Sequence, residues 1–165
     1  MSVLVSIQEN DFDIGVEHQR LKAVGNGVGA ISTFTGLVRE FEGDSKNPDD
    51  QANLSTLTLE HYPEMTEKLL SEIIQQSFDR WPLIAVSVVH RIGILKPNDQ
   101  IVFVGVASEH RQDAFQAAQF VMDYLKTRAT FWKKVEVDGR SHWSDAKASD
   151  AAAMAKWEDL DSEKY

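Results

Sequence analysis

Cysteine is absent from the chain. Without it there is no disulfide staple, no thiolate metal ligand and no cysteine nucleophile, so any sulfur handled here is carried by another molecule. Long apolar runs are missing too. No stretch approaches the ~18 uninterrupted apolar residues of a membrane span, and the opening MSVLVSIQENDFD has neither a basic n-region nor a long apolar h-region. The expectation is a cytoplasmic protein with no membrane partner. Positive charge is scarce: 17 Lys and Arg against 26 Asp and Glu leave a formal net charge of −9. Non-specific nucleic-acid binding, which depends on clustered cations neutralising phosphates, is therefore not expected. Any basic cluster must be local, so where each cation sits is more informative than how many there are.

What is present suits one domain, because 165 residues with 42% hydrophobic and 26% charged residues can bury a sizeable core. Val3 to Ile7 reads as a strand, and Asp11 or Asp13 can cap a helix running towards Val24 and ended by Gly25-Asn26-Gly27. Gly29 to Val38 reads as a strand. The stretch 42–53 has almost no apolar residues and is predicted to be a mobile surface loop, not a domain boundary. Leu57, Leu59 and His61 alternate at strand period, and Pro63 opens a helix with Met65, Leu69, Ile73 and Phe78 as its predicted face. Trp81-Pro82 ends it.

Ile84 to Arg91 and Gln100 to Ser108, separated by the turn-like Lys96-Pro97-Asn98-Asp99, predict an antiparallel pair. Asp113 to Arg128 predicts a helix with Phe115, Ala118, Met122, Leu125 and Ala129 as its buried stripe. Phe131 to Val137 reads as a strand, and Ser149 can cap a short helix through Trp157. Interleaved helices and a hairpin make the class α+β, with an antiparallel sheet and flanking helices.

Several cations stand at the ends of apolar elements: Arg39 after a strand, His110-Arg111 after another, and Lys126 near a helix end. Lys133 shares the Phe131 and Val135 face of its strand, the side otherwise expected to be core. Together they would form an anion pocket. Each also has a plainer reading. Lys126 follows Met122 by four residues, on the border of the buried stripe, where lysines lay their methylenes on the core and keep the ammonium in water; the pattern by itself favours that arrangement. Arg39 can equally be a solvated loop residue, and His110 a helix-start residue. His61, His90 and His110 lie on different elements without short ligand spacing, so no metal site is expected. Trp132, Trp143 and Trp157 read as core or interface anchors.

Four stretches, GAISTFTGLVRE from Gly29, TLEHYPEMTEKLL from Thr58, VVHRIGILKPNDQIVFVGVASEHR from Val88 and MDYLKTRATFWKK from Met122, followed by Trp143, resemble the large subunit of molybdopterin synthase. They span most of the chain in order. The resemblance implies an α/β-hammerhead fold and a homodimer that binds a small ubiquitin-like sulfur carrier at each end, a heterotetramer in which the carrier's C-terminal Gly-Gly enters the active pocket. It further implies transfer of sulfur from the carrier's thiocarboxylate to cyclic pyranopterin monophosphate, giving molybdopterin, with no cofactor.

Carried over by position, the resemblance makes Lys126 and Lys133 catalytic, with both also contacting substrate. It puts Phe34 and Met122 in the pocket lining and Leu37, Val38, Arg39, His110, Arg111, Lys134 and Val135 against substrate. Lys147 falls where the family can place an arginine reaching across the dimer. Two departures are visible: Leu37 stands where lysine is frequent, and Thr130 replaces a proline before Phe131-Trp132, removing a φ restraint. A non-catalytic adaptor that docks a ubiquitin-like protein would have no need of Lys126 and Lys133. An unrelated phosphate-ligand enzyme would have no need of a tail-binding groove.

Overall fold

In the computed structural model, residues 1–42, 52–129, 131–144 and 156–157 are described. Among the described residues, nine strands and three helices follow in the order β1 (Ser2–Gln8), α1 (Ile14–Lys22), β2 (Ala30–Leu37), β3 (Phe41–Glu42), β4 (Ala52–His61), α2 (Pro63–Arg80), β5 (Leu83–Arg91), β6 (Gly93–Leu95), β7 (Gln100–Ser108), α3 (Arg111–Arg128), β8 (Phe131–Val137) and β9 (Arg140–Ser144). The α+β class holds, built as two sheets instead of one. The first sheet runs β1-β5-β7-β2 and the second β3-β4-β8-β9, with β6 also on β4. All pairings are antiparallel except β1 with β5, which is parallel.

The central strands LIAVSVVHR and QIVFVGVAS are apolar on both faces because both faces are covered. Val86, Val88, Val102, Val104 and Val106 pack against Leu70, Ile73 and Ile74 of α2 and Phe120, Val121 and Tyr124 of α3. Ala85, Val89, Phe103 and Ala107 face the other way, onto Phe12 and Leu21. The second sheet has its own smaller core of Val38, Leu54, Leu57, Leu59, Leu95 and Val135. Ile101 packs against both this core and the α2/α3 core, which makes it the seam between the sheets.

Both long helices form where expected, but each buries a face rotated from the predicted one. In α2 the buried residues are Thr66, Leu70, Ile73, Ile74 and Ser77, while Met65 is 51% exposed. In α3 they are Ala114, Ala117, Ala118, Phe120, Val121, Tyr124 and Leu125, and Phe115 is 63% exposed. Ile73, Ala118 and Leu125 are buried as predicted, but Met65 and Phe115 are not, because the small Ala114 and Ala117 are also on the inward face and let α3 lie close to the sheet. Strand β9 was not anticipated, although Asp138-Gly139, both at positive φ, is the two-residue turn that joins it to β8.

At both ends of the stretch 42–53, expected to be a loop, the described chain is strand. Glu42 pairs with Ala52 and Phe41 with Asn53; residues 43–51 lie outside the described residues, as do Thr130, Lys147 and Ser149. Trp157 is buried, as an anchor would be, whereas Trp132 and Trp143 are each 54% exposed and belong to no core.

Gly29 marks a close approach that only glycine permits. Its N–H donates to the Ser108 carbonyl at 3.0 Å, and a Cβ there would collide with the carbonyl oxygen of Glu109, a backbone atom that cannot rotate aside. Gly29→Ala should therefore destabilise the fold by about 1–3 kcal/mol, the cost of overpacking. Urea unfolding with an unchanged midpoint would refute this.

Candidate functional site

The seam opens into a cavity of about 460 Å³ lined from both sheets and from α3. Residues 34–39 form one wall. A β-bulge between Gly36 and Leu37 breaks the pairing with β7 and re-aims the end of β2. Beyond it the chain is held by the turn before β7: Val38 N donates to the Asp99 carbonyl and Asn98 N to the Val38 carbonyl, each at 2.9 Å. The turn itself is closed by Lys96 N donating to Asp99 Oδ2 at 2.8 Å. Val38 is thereby buried in the second core, and Arg39 follows it at the cavity wall.

Met122 and Lys126, one turn apart on α3, line the opposite side. Lys133 comes from β8, where it pairs with Leu59 and shares a face with the fully buried Val135. Three cations from three separate elements thus meet in one cavity, with Phe34 and Leu37 as partly exposed apolar members of its wall. Arg39 and Lys126 make no ion pair or hydrogen bond among the described residues. Cations left without carboxylates in an acidic protein are suited to an anionic ligand, and Arg offers a planar fork for bidentate contact.

Other residues expected at the site lie elsewhere. Lys134 points to the opposite face of β8, among Thr56, Thr58 and Glu136, with its ammonium 6.0 Å from the Trp143 ring centroid; strand alternation separates it from Lys133. Val135 is fully buried in the second core and offers the cavity no side chain. His110 and Arg111, both exposed, sit at the start of α3. With a rise of ~1.5 Å per residue, Arg111 is about 22 Å along the axis from Lys126, too far to share a cavity within one chain.

One cavity residue was weighed in the sequence only as a metal ligand. His90 follows Val86 and Val88 on the inward face of β5 and is 8% exposed. Its ring lies flat on Phe131, centroids 3.7 Å apart and planes 7° from parallel. Phe131 in turn stacks on His61 at 6.2 Å. Nδ1 of His90 is 2.8 Å from the Arg91 carbonyl. A carbonyl only accepts, so Nδ1 bears the proton and neutral His90 presents Nε2 as a bare lone pair. Burial holds its pKa down, from the usual 6.5 to about 4; the bond to Arg91 opposes this shift and His61 adds to it. Its position in an alternating apolar strand was the available signal.

Comparison with known proteins fits this geometry. The family model described as MoaE protein matches residues 7–128. The molybdopterin synthase catalytic subunit of Escherichia coli K12 is 51% identical over 147 residues, covering 88% of this chain and 92% of that protein. That of Pseudomonas aeruginosa is 46% identical over 155 residues, covering 94% and 99%. Among solved structures, the molybdopterin biosynthesis MoaE protein from Burkholderia ambifaria superposes with a TM-score of 0.78 at 42% identity, covering 95% of this chain and 98% of that one.

The depressed pKa of His90 has a consequence for stability. Between about 4 and 6.5 the unfolded chain binds a proton at this position that the folded chain does not, so stability is lost as pH falls through that window. The loss specific to His90 should approach about 3 kcal/mol. His90→Phe, which keeps a stacking ring but cannot titrate, should show a shallower fall over the same range in urea titrations. Parallel curves for the two proteins would refute the assignment.

Proposed function

We propose, from the premise that this chain belongs to the MoaE protein family, that the cavity at the seam is the sulfur-transfer site of a molybdopterin synthase catalytic subunit. The enzyme takes sulfur from the thiocarboxylated C-terminus of a small ubiquitin-like carrier and places it on cyclic pyranopterin monophosphate. Two such transfers give the dithiolene of molybdopterin. The observation that carries this reading is the convergence of Arg39, Lys126 and Lys133 in one cavity. The substrate phosphate and the carrier's thiocarboxylate are both anions, and they can be brought together only where fixed cations offset their repulsion.

In this reading Arg39 grips the phosphate through its fork. Lys133 holds phosphate or tail from the floor of the cavity. Once the thiocarboxylate sulfur has bonded to the pterin, water attacks the acyl carbon and the acyl–sulfur bond breaks, leaving sulfur on the pterin and the carrier as its carboxylate; Lys126 supplies a proton, or the positive charge that stabilises the oxyanion of that attack. The apolar Phe34 and Met122 shape the space for the ring and for a Gly-Gly tail, whose lack of side chains suits a narrow approach. The protein works in the cytoplasm as a homodimer with one carrier per subunit. His110 and Arg111 can contact substrate only from the second subunit of that dimer, since they are too distant within one chain.

Lys126→Ala should leave the fold and carrier affinity largely intact while slowing single-turnover sulfur transfer by about 100-fold or more. Recovery in Lys126→Arg would identify charge as the requirement, and failure would identify proton transfer or strict geometry. A wild-type rate in the alanine variant would remove Lys126 from the chemistry. Light scattering should find a dimer at micromolar concentration, alone and with carrier; a monomer in both conditions would refute the assembly.

A further inference from the structure

We propose that His90 is a substrate-binding residue of this site, its Nε2 accepting a hydrogen bond from an N–H of the pyranopterin; the proposal rests on the sulfur-transfer reading above. Arg39, Lys126 and Lys133 are donors with no capacity to accept. A heterocycle bearing amine and ring N–H groups needs the reverse. Of the described side chains lining the cavity, only Thr35 and His90 can accept through nitrogen or oxygen. Register separates these two. Thr35 pairs with Phe103, whose side chain packs with Phe12 and Leu21 on the α1 face of the first sheet. His90 pairs with Val102, which belongs to the α2/α3 core on the face where the cavity opens. Residues directly opposite in an antiparallel pair share a face, so the Thr35 hydroxyl is turned away and His90 is turned in.

The acceptor is already in place. Nδ1–H is committed to the Arg91 carbonyl and the ring is clamped by Phe131. Nε2 has no partner among the described residues, and no buried side-chain nitrogen or oxygen there is left unpaired, so Nε2 is reached from the cavity. Burial keeps the lone pair free of a proton, and His61 beyond Phe131 acts in the same direction.

The test uses the full chain with its thiocarboxylated carrier. In ¹⁵N-histidine-labelled protein, the His90 Nε2 resonance should move in the direction of hydrogen-bond acceptance when cyclic pyranopterin monophosphate is added, while Nδ1 stays protonated. His90→Phe should raise KM for this substrate by about 5- to 10-fold, the scale of one lost hydrogen bond, with carrier affinity unchanged. His90→Gln, whose amide oxygen reaches towards the Nε2 position, should recover part of the loss. An Nε2 resonance that does not move at saturating substrate, or a wild-type KM in His90→Phe, overturns the proposal while leaving sulfur transfer standing. A wild-type protein that forms no molybdopterin overturns both readings together.

Discussion

Phe131 lies flat on His90, one ring from each sheet, and this stack marks where the two sheets are locked together. An aromatic pair contributes about 0.5–1.5 kcal/mol beyond its burial. Burying Leu57, Leu59, Leu95 and Val135 beside it contributes about 1.5–3 kcal/mol for each side chain. The stack therefore fixes relative position more than it adds stability. That position matters because β8, which begins at Phe131, carries Lys133 two residues later, while β5 ends just past His90. Displacing one sheet against the other would separate Lys133 from Lys126 before it emptied either core.

A second consequence of the seam is electrostatic. Three cations face one cavity in a chain of net charge −9. The C-terminal end of the α3 dipole favours a cation at Lys126. Cations gathered at one opening raise the local affinity for anions in a protein whose remaining surface repels them. Lys134 illustrates the contrast. On the other face of the same strand it lies near Glu136 and Trp143, outside that cavity.

Local chemistry accounts for what was legible in the sequence. Asp13 caps α1 by accepting from Val16 N, Pro63 opens α2, and the Lys96–Asp99 turn stands where its residues demanded one. The inward faces of α2 and α3 were legible in part: Ile73, Ala118 and Leu125 are buried as their spacing predicts, while Thr66, Ala114 and Ala117, which also turn inward, look neutral in a hydrophobic pattern. The division into two sheets was not legible, since it depends on pairings such as Thr58 with Lys134 that are remote in sequence. At the site, strand ends and the period of two pointed to Arg39 and Lys133, which line the cavity, but strand ends pointed equally to His110 and Arg111, which do not. Resemblance alone suggested Lys134 and Val135 as substrate contacts, and their side chains do not line the cavity.

Beyond its rejection as a metal ligand, His90 reads in the sequence as core, a histidine among valines, and it is core by burial. What sets it apart is the bond at Nδ1, and that bond is secured from a distance. The Arg91 side chain donates from Nε to the Glu9 carbonyl at 3.1 Å and from Nη1 to the Gln100 carbonyl at 3.0 Å, and it meets Asp11 at 3.5 Å. It thereby ties the segment after β1 and the start of β7 to the end of β5, holding the peptide whose carbonyl takes the Nδ1 proton. The tautomer is consequently set by the backbone and not by whatever occupies the cavity. A polar group oriented in advance need not reorganise when charge or a donor arrives, which is the condition under which a single hydrogen bond contributes most to a site.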